Sequence, residues 1–133
     1  MAEQKEDHKD LKWDGVDLDG TLAKYDGWKG HTSIGEPIQK MCDFIRKEHE
    51  RGRNIRIFTA RVSKVSLDGL PKEPVVKAIQ DWCEKHLGFR PEVTNEKDRW
   101  LDRIYDDRAI GVVKNEGTLL NPKDEGLKDF LSK

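Results

Sequence analysis

The stretch GVDLDGTLAKYDGWKG, residues 15–30, sets Asp17 and Asp19 two apart after a short apolar run and follows them at once with Gly20 and Thr21. Like charges this close raise each other's pKa, an unfavourable arrangement unless a cation or a reaction uses it. In extended chain, residues i and i+2 point the same way, so both carboxylates can face one ligand. Gly20 permits a tight turn, and Thr21 carries a hydroxyl that can hold it. A strand that runs into an acidic turn is the start of an alternating α/β pattern, and the neighbouring sequence continues it.

Residues 11–18, LKWDGVDL, read as the first strand, although Lys12, Asp14 and Gly15 are poor strand residues. Residues 37–51 predict an amphipathic helix, with Ile38, Met41, Cys42 and Ile45 at i, i+3, i+4 and i+7, Pro37 in its first turn and Gly52 after it. NIRIFTA, residues 54–60, is a second strand. Residues 74–87 predict a second helix with Val76, Ile79, Cys83 and Leu87 as its inner stripe. A short third strand falls at 92–94, a short helix or turn at 97–102, a fourth strand at RIYDD (103–107) and a fifth at RAIGVV (108–113). The tail from Pro122 predicts a short C-terminal helix, and residues 1–10 a flexible, solvated arm ahead of a single catalytic domain over 11–133. Alternating strands and helices imply a Rossmann-like three-layer sandwich: a mostly parallel sheet of about five strands, covered on both faces. In such sheets ligands bind beyond the carboxyl ends of the strands. Asp17 and Asp19, Thr59, Asn95 and Lys97, and Asp106 and Asp107 all fall at those ends.

Composition narrows the function classes. The 133 residues suit one domain, with 35% hydrophobic and 38% charged residues and 25 basic against 26 acidic side chains. A formal charge of −1 creates no long-range field for nucleic acid or a membrane surface. No apolar run approaches the roughly 20 residues of a membrane span, and the N-terminus lacks a signal-peptide core. Cys42 and Cys83 are too few for a disulfide framework and read as reduced core thiols, which places the protein in the cytoplasm.

The polar cluster points to phosphoryl transfer. Asp17, Asp19, Asp106 and Asp107 converge as four charges, which a hard divalent cation resolves; an oxygen-only set favours Mg²⁺ over zinc, and Mg²⁺ takes phosphate oxygens as its remaining ligands. Thr59 with the Ala60 amide offers a hydrogen-bond cradle, and Lys97 a point positive charge. Asp17 can attack phosphorus, while Asp19 can protonate the leaving oxygen and later deprotonate a water. Arg61 and Arg108 can touch a substrate phosphate or carboxylate. Trp28 and His31, with Tyr25, lie in a glycine-rich segment, residues 23–37, that must emerge over the site; it is expected to be a mobile flap hinged at Gly27, Gly30 and Gly35, with flat surfaces for a base or sugar.

These residues resemble the haloacid dehalogenase (HAD) superfamily of phosphotransferases. DLDGTL resembles its motif I, FTAR (58–61) motif II through Thr59, Lys97 in TNEKD the motif III lysine, and IYDDRA (104–109) motif IV, in matching order over roughly residues 12–112. The resemblance implies a phosphatase with Asp17 as nucleophile and Asp19 as general acid and base. It also implies a metal held by Asp17, the Asp19 backbone carbonyl and Asp106, with Asp107 one step removed. The segments after motifs I and II are too short for a cap domain, so the resemblance is to the capless type, whose members act on large substrates or borrow a neighbouring subunit as a lid. A phosphorylated substrate is thus the expected partner, and a homo-oligomer supplying a lid is one of the two arrangements that the resemblance allows. Small phosphometabolites, nucleotides and polynucleotide ends all fit. Two other classes use similar residues: a phosphoryl-accepting receiver-like signalling domain, whose acidic pair precedes its accepting Asp, and a non-catalytic phosphate-binding protein. Here the Asp-Asp pair comes last and every motif position is filled.

Overall fold

A computed structural model describes residues 11–63 and 72–120. The expected N-terminal arm and C-terminal helix lie outside the described residues. Four strands, β1 (Trp13–Val16), β2 (Ile55–Phe58), β3 (Glu92–Thr94) and β4 (Leu101–Tyr105), form one parallel sheet in the order β3-β2-β1-β4. The chain is an α/β protein with a Rossmann-like sheet. Helix α1 (Gln39–Glu50) links β1 to β2, and helix α2 (Lys72–Leu87) links β2 to β3. Both steps run the same way across the sheet, so right-handed crossovers set both helices on one face, where they pack against each other.

The core lies between that face and the helices. Val16, Ile55 and Ile57 from the strands and Leu18 just after β1 meet Cys42 and Ile45 of α1 and Val75, Ile79, Cys83 and Leu87 of α2. The inner stripe of α2 begins at Val75 rather than at Val76, which is only partly buried. Both cysteines are buried free thiols, and burial pushes Cys83 up to about 12. No described helix is long and apolar enough to cross a membrane.

The second face carries no described helix, contrary to the expected cover on both faces. The link from β3 to β4 crosses it instead, and the expected helix or turn at 97–102 is a turn at 99–100 that feeds β4 from Leu101. Trp13, on this face, donates its indole N–H to Asp98 Oδ1 at 2.9 Å and its backbone N–H to the Trp100 carbonyl at 3.1 Å. Arg56 lies 4.7 Å over the Trp13 ring, so the indole is buried although no described helix covers it. Six residues of extended chain reach about 20 Å, enough for this crossing without a helix.

Two of the three weak residues of the expected first strand, Asp14 and Gly15, prove structural, while Lys12 lies before β1. Asp14 is fully buried and accepts from Arg53 Nε at 2.7 Å and from Arg53 Nη2. Arg53 also donates to Asp102 at 2.8 Å, which ties the start of β2 to β4 across β1. Gly15 faces Phe58, Trp13 and Leu101 so closely that an added Cβ would lie 3.2–3.3 Å from each.

Among the described residues the sheet has four strands rather than about five. Residues 108–113 do not extend it: after β4 the chain turns, with Ala109 N–H to the Asp106 carbonyl at 3.3 Å. Only Gly111–Val112 (β5) is extended, and it pairs antiparallel with Leu119–Leu120 (β6) in a separate hairpin. The turn at Asn115 and Gly117, both at positive φ, closes the hairpin.

Candidate functional site

The sheet's carboxyl edge opens into a cleft of about 850 Å³. Asp17 follows β1, Thr59 follows β2, Asn95 follows β3, and Asp106 and Asp107 follow β4; all five line it. Parallel strands deliver their ends to one edge, which is why residues almost ninety apart in sequence meet here.

Three carboxylates converge. Asp17, Asp106 and Asp107 each place an oxygen within 4.8 Å of the others. Asp17 is half-buried, and its carboxyl is raised to about 7 from an ordinary 3.8, first by burial, then by the charge of Asp106 and by its hydrogen bond to and the charge of Asp107. The Leu18 amide opposes this in part. An oxygen-only trio with mutual repulsion fits a hard divalent cation, whose charge would reverse the balance at Asp17.

Thr21 holds this trio in place, a role its sequence position at the turn did not disclose. Its hydroxyl accepts from the Asp107 N–H at 3.0 Å and donates to Asp107 Oδ1 at 3.0 Å, with Asp17 Oδ2 3.4 Å away. The hydroxyl therefore bridges the ends of β1 and β4 instead of only closing its own turn. Gly20 beside it has φ +90°, and a Cβ there would lie 2.8 Å from both Asp107 carboxylate oxygens. Glycine is required twice, by the backbone and by the neighbouring carboxylate.

Asp19 stands apart from the trio. Both of its oxygens accept from Arg61, Oδ2 from Nε and Oδ1 from Nη2, each at 2.8 Å. The remaining Arg61 donors reach the flap: Nη1 to the carbonyls of Gly30 (3.1 Å) and His31 (2.8 Å), Nη2 to that of Ser33 (2.9 Å). A guanidinium has five N–H donors, and these five bonds use all of them. Arg61 lines the cleft but has no donor left for a substrate phosphate, so the structure does not give it the expected substrate contact. A further ring contact, 4.9 Å from its Cζ to the Trp28 ring, places Trp28 beside it.

Thr59 is buried, and its hydroxyl oxygen accepts the Arg61 N–H at 3.2 Å, capping the short 3₁₀ turn Ala60–Val62. The hydroxyl hydrogen is still available to a ligand, since an oxygen that accepts can also donate. Ala60 lines the cleft beside it. Trp28 and His31 are brought to the cleft as well: Trp28 is 50% exposed, His31 is buried, and their rings meet edge to face at 5.0 Å. Lys97 is not brought in. It is exposed and outside the cleft lining, while its loop is held by Asp98, which accepts from Trp13 and from the Trp100 amide, and by Thr94, which accepts from Glu96 N–H. Asn95, Ser63, Tyr25, Phe58 and Arg108 complete the wall; Arg108 places its backbone N–H on Asp106 Oδ1 at 2.8 Å.

The flap is tethered at its base and, through Arg61, at Gly30, His31 and Ser33. At its base Ala23 pairs with Pro37, and Lys24 N–H donates to the Glu36 carbonyl at 2.8 Å. Gly35 is no hinge: a Cβ there would lie 2.1 Å from the Lys24 carbonyl oxygen, so glycine allows two backbones to touch. Trp82 of α2 donates its indole N–H to the Gly35 carbonyl at 3.0 Å.

No family model and no curated protein matches the chain. Among solved structures, a conserved protein from Bacteroides thetaiotaomicron is similar, with 20% identity, 72% of this chain and 75% of that chain covered, and a TM-score of 0.50. The likeness is one of fold.

Proposed function

We propose that the protein is a Mg²⁺-dependent phosphomonoester hydrolase that works through an aspartyl phosphate on Asp17. The observation that carries this reading is the meeting of Asp17, Asp106 and Asp107 in one cleft with Thr59, each at the carboxyl end of a different strand or beside its strand partner. Asp17, Asp106 and Asp107 would hold Mg²⁺, which would supply charge neutralisation for these carboxylates and the phosphate oxygens. Asp17 attacks phosphorus, and the bond to the ester oxygen breaks. The leaving oxygen takes a proton from Asp19. Asp19 then removes a proton from water, whose oxygen attacks the same phosphorus and frees inorganic phosphate and the Asp17 carboxylate. The Thr59 hydroxyl and Ala60 backbone orient the phosphoryl group. Asp19 as it lies has both oxygens accepting from Arg61, and each oxygen keeps a second lone pair that can hold the proton passed to the leaving oxygen and taken from water. The substrate class is a nucleotide, a polynucleotide end or a small phosphometabolite, reached through an open cleft edged by Tyr25 and Trp28.

A second reading, a phosphoryl-accepting or phosphate-binding protein without turnover, draws on the pairing of Asp19 with Arg61 and the outward position of Lys97. One experiment separates the two. Phosphate release is followed from p-nitrophenyl phosphate and from a panel of metabolite and oligonucleotide phosphates, with Mg²⁺ and with EDTA, for the wild type and Asp17→Asn. The hydrolase reading expects multiple turnovers with Mg²⁺, none with EDTA and none from the variant. A single stoichiometric burst, or full activity in EDTA or in Asp17→Asn, overturns it.

A further inference from the structure

We propose that Arg61 is a positioning residue that joins the flap to Asp19, so that the flap and the proton-carrying carboxylate move as one unit. The proposal rests on the hydrolase reading for Asp19's role, but its mechanical part stands on geometry alone. Arg61 is buried, and its five donors divide between two clients: two go to the Asp19 carboxylate and three to the carbonyls of Gly30, His31 and Ser33. The guanidinium is planar and its donors are fixed in one fork, so a shift of the flap carbonyls must rotate or translate the face that holds Asp19. Trp28 makes a third contact with the same group, 4.9 Å from Cζ to the ring, which extends the joint to the exposed rim of the cleft. A substrate that displaces this rim therefore acts on Asp19 through Arg61.

A lysine in place of Arg61 keeps the charge but has three donors on one point, too few and too close together to serve both clients. Asparagine in place of Asp19 turns one acceptor into a donor aimed at the guanidinium. Neither change removes a flap atom. Arg61→Lys, Asp19→Asn and the double variant of the full chain are compared with the wild type in two ways. Hydrogen exchange of peptides covering residues 24–36 reads the joint directly and needs no activity. Exchange there is expected to quicken roughly tenfold or more in both single variants, the scale set by losing charge-assisted hydrogen bonds. Peptides over Ile55–Phe58 and Ile79–Leu87 should exchange as in the wild type, which excludes general unfolding. Unchanged flap exchange in Asp19→Asn, the milder substitution, overturns the joint whatever becomes of Arg61→Lys.

Steady-state kinetics on p-nitrophenyl phosphate with Mg²⁺ reads the positioning. Arg61→Lys is expected to lower kcat roughly tenfold or more with KM little changed, and to add nothing in the Asp19→Asn background, because both changes act through one carboxylate. A raised KM, or losses that multiply in the double variant, would make Arg61 an independent substrate-binding group and overturn the positioning role. A wild type without turnover defeats the hydrolase reading, and the exchange arm then decides the joint by itself.

Discussion

Removing divalent cations and raising the pH from 5 to 8 should lower the melting temperature through one group, Asp17. Its carboxyl is raised to about 7 in the fold, against 3.8 ordinarily. The fold thus favours the protonated form. The stability that this contributes is complete below about pH 3.8 and is lost as the pH climbs through 7. Unscreened, the about two units lost between pH 5 and 7 correspond to about 3 kcal/mol at ~1.4 kcal/mol per unit. Asp17 is half-buried and faces an open cleft, so screening leaves about 1–2 kcal/mol. In a domain of this size each kcal/mol shifts the midpoint by about 3–5 °C, giving a fall of about 3–10 °C. Other groups titrate over the same range, so the reading is the difference between wild type and Asp17→Asn, whose amide does not ionise. In EDTA the wild type should lose those degrees relative to the variant between pH 5 and 8, and Mg²⁺ at pH 8 should restore them. Parallel curves for the two proteins in EDTA would show that neither burial nor the neighbouring Asp106 and Asp107 raises the Asp17 carboxyl in the fold.

Asp19→Asn should slow hydrolysis of an unactivated alkyl phosphate by roughly 10²-fold and of p-nitrophenyl phosphate by less in its first step, since a good leaving group needs no proton; equal losses on both esters count against the acid role. Gly20→Ala should lose about 1–2 kcal/mol to its φ of +90° and should also raise the Mg²⁺ concentration needed for activity, because the new methyl displaces the Asp107 carboxylate; a variant with a lowered midpoint but wild-type Mg²⁺ dependence would separate Gly20 from the site. Asp14→Ala should cost about 2–3 kcal/mol in urea unfolding by removing two charge-assisted hydrogen bonds from Arg53, which keeps Asp102, and replacing both residues by apolar ones should recover most of it. A double variant as unstable as the single one would refute that account.

What the sequence determined by itself is whatever depends on spacing along the chain. The two-residue step from Asp17 to Asp19, the period of Cys42 and Ile45 in α1 and of Ile79, Cys83 and Leu87 in α2, and the punctuation of strands by acidic or hydroxyl residues are local, and local chemistry is enough to order the elements and to gather Asp17, Thr59, Asp106 and Asp107 at one edge. The same logic brought Lys97 to that edge, yet a lysine's position also depends on how its loop is anchored, and here Asp98 is anchored to Trp13 on the other face of the sheet. Long-range partners decided the rest. Nothing adjacent to Arg61 announces that its donors end on Asp19, Gly30, His31 and Ser33, and nothing near Asp14 announces Arg53, 39 residues away. Thr21 reads as a turn residue until β4 brings Asp107 to its hydroxyl. Gly35 reads as a hinge until Lys24 passes it at backbone contact. Hydrogen bonds and close packing act over about 3 Å in space irrespective of separation in sequence, so their partners exist only once the sheet has set its strand order.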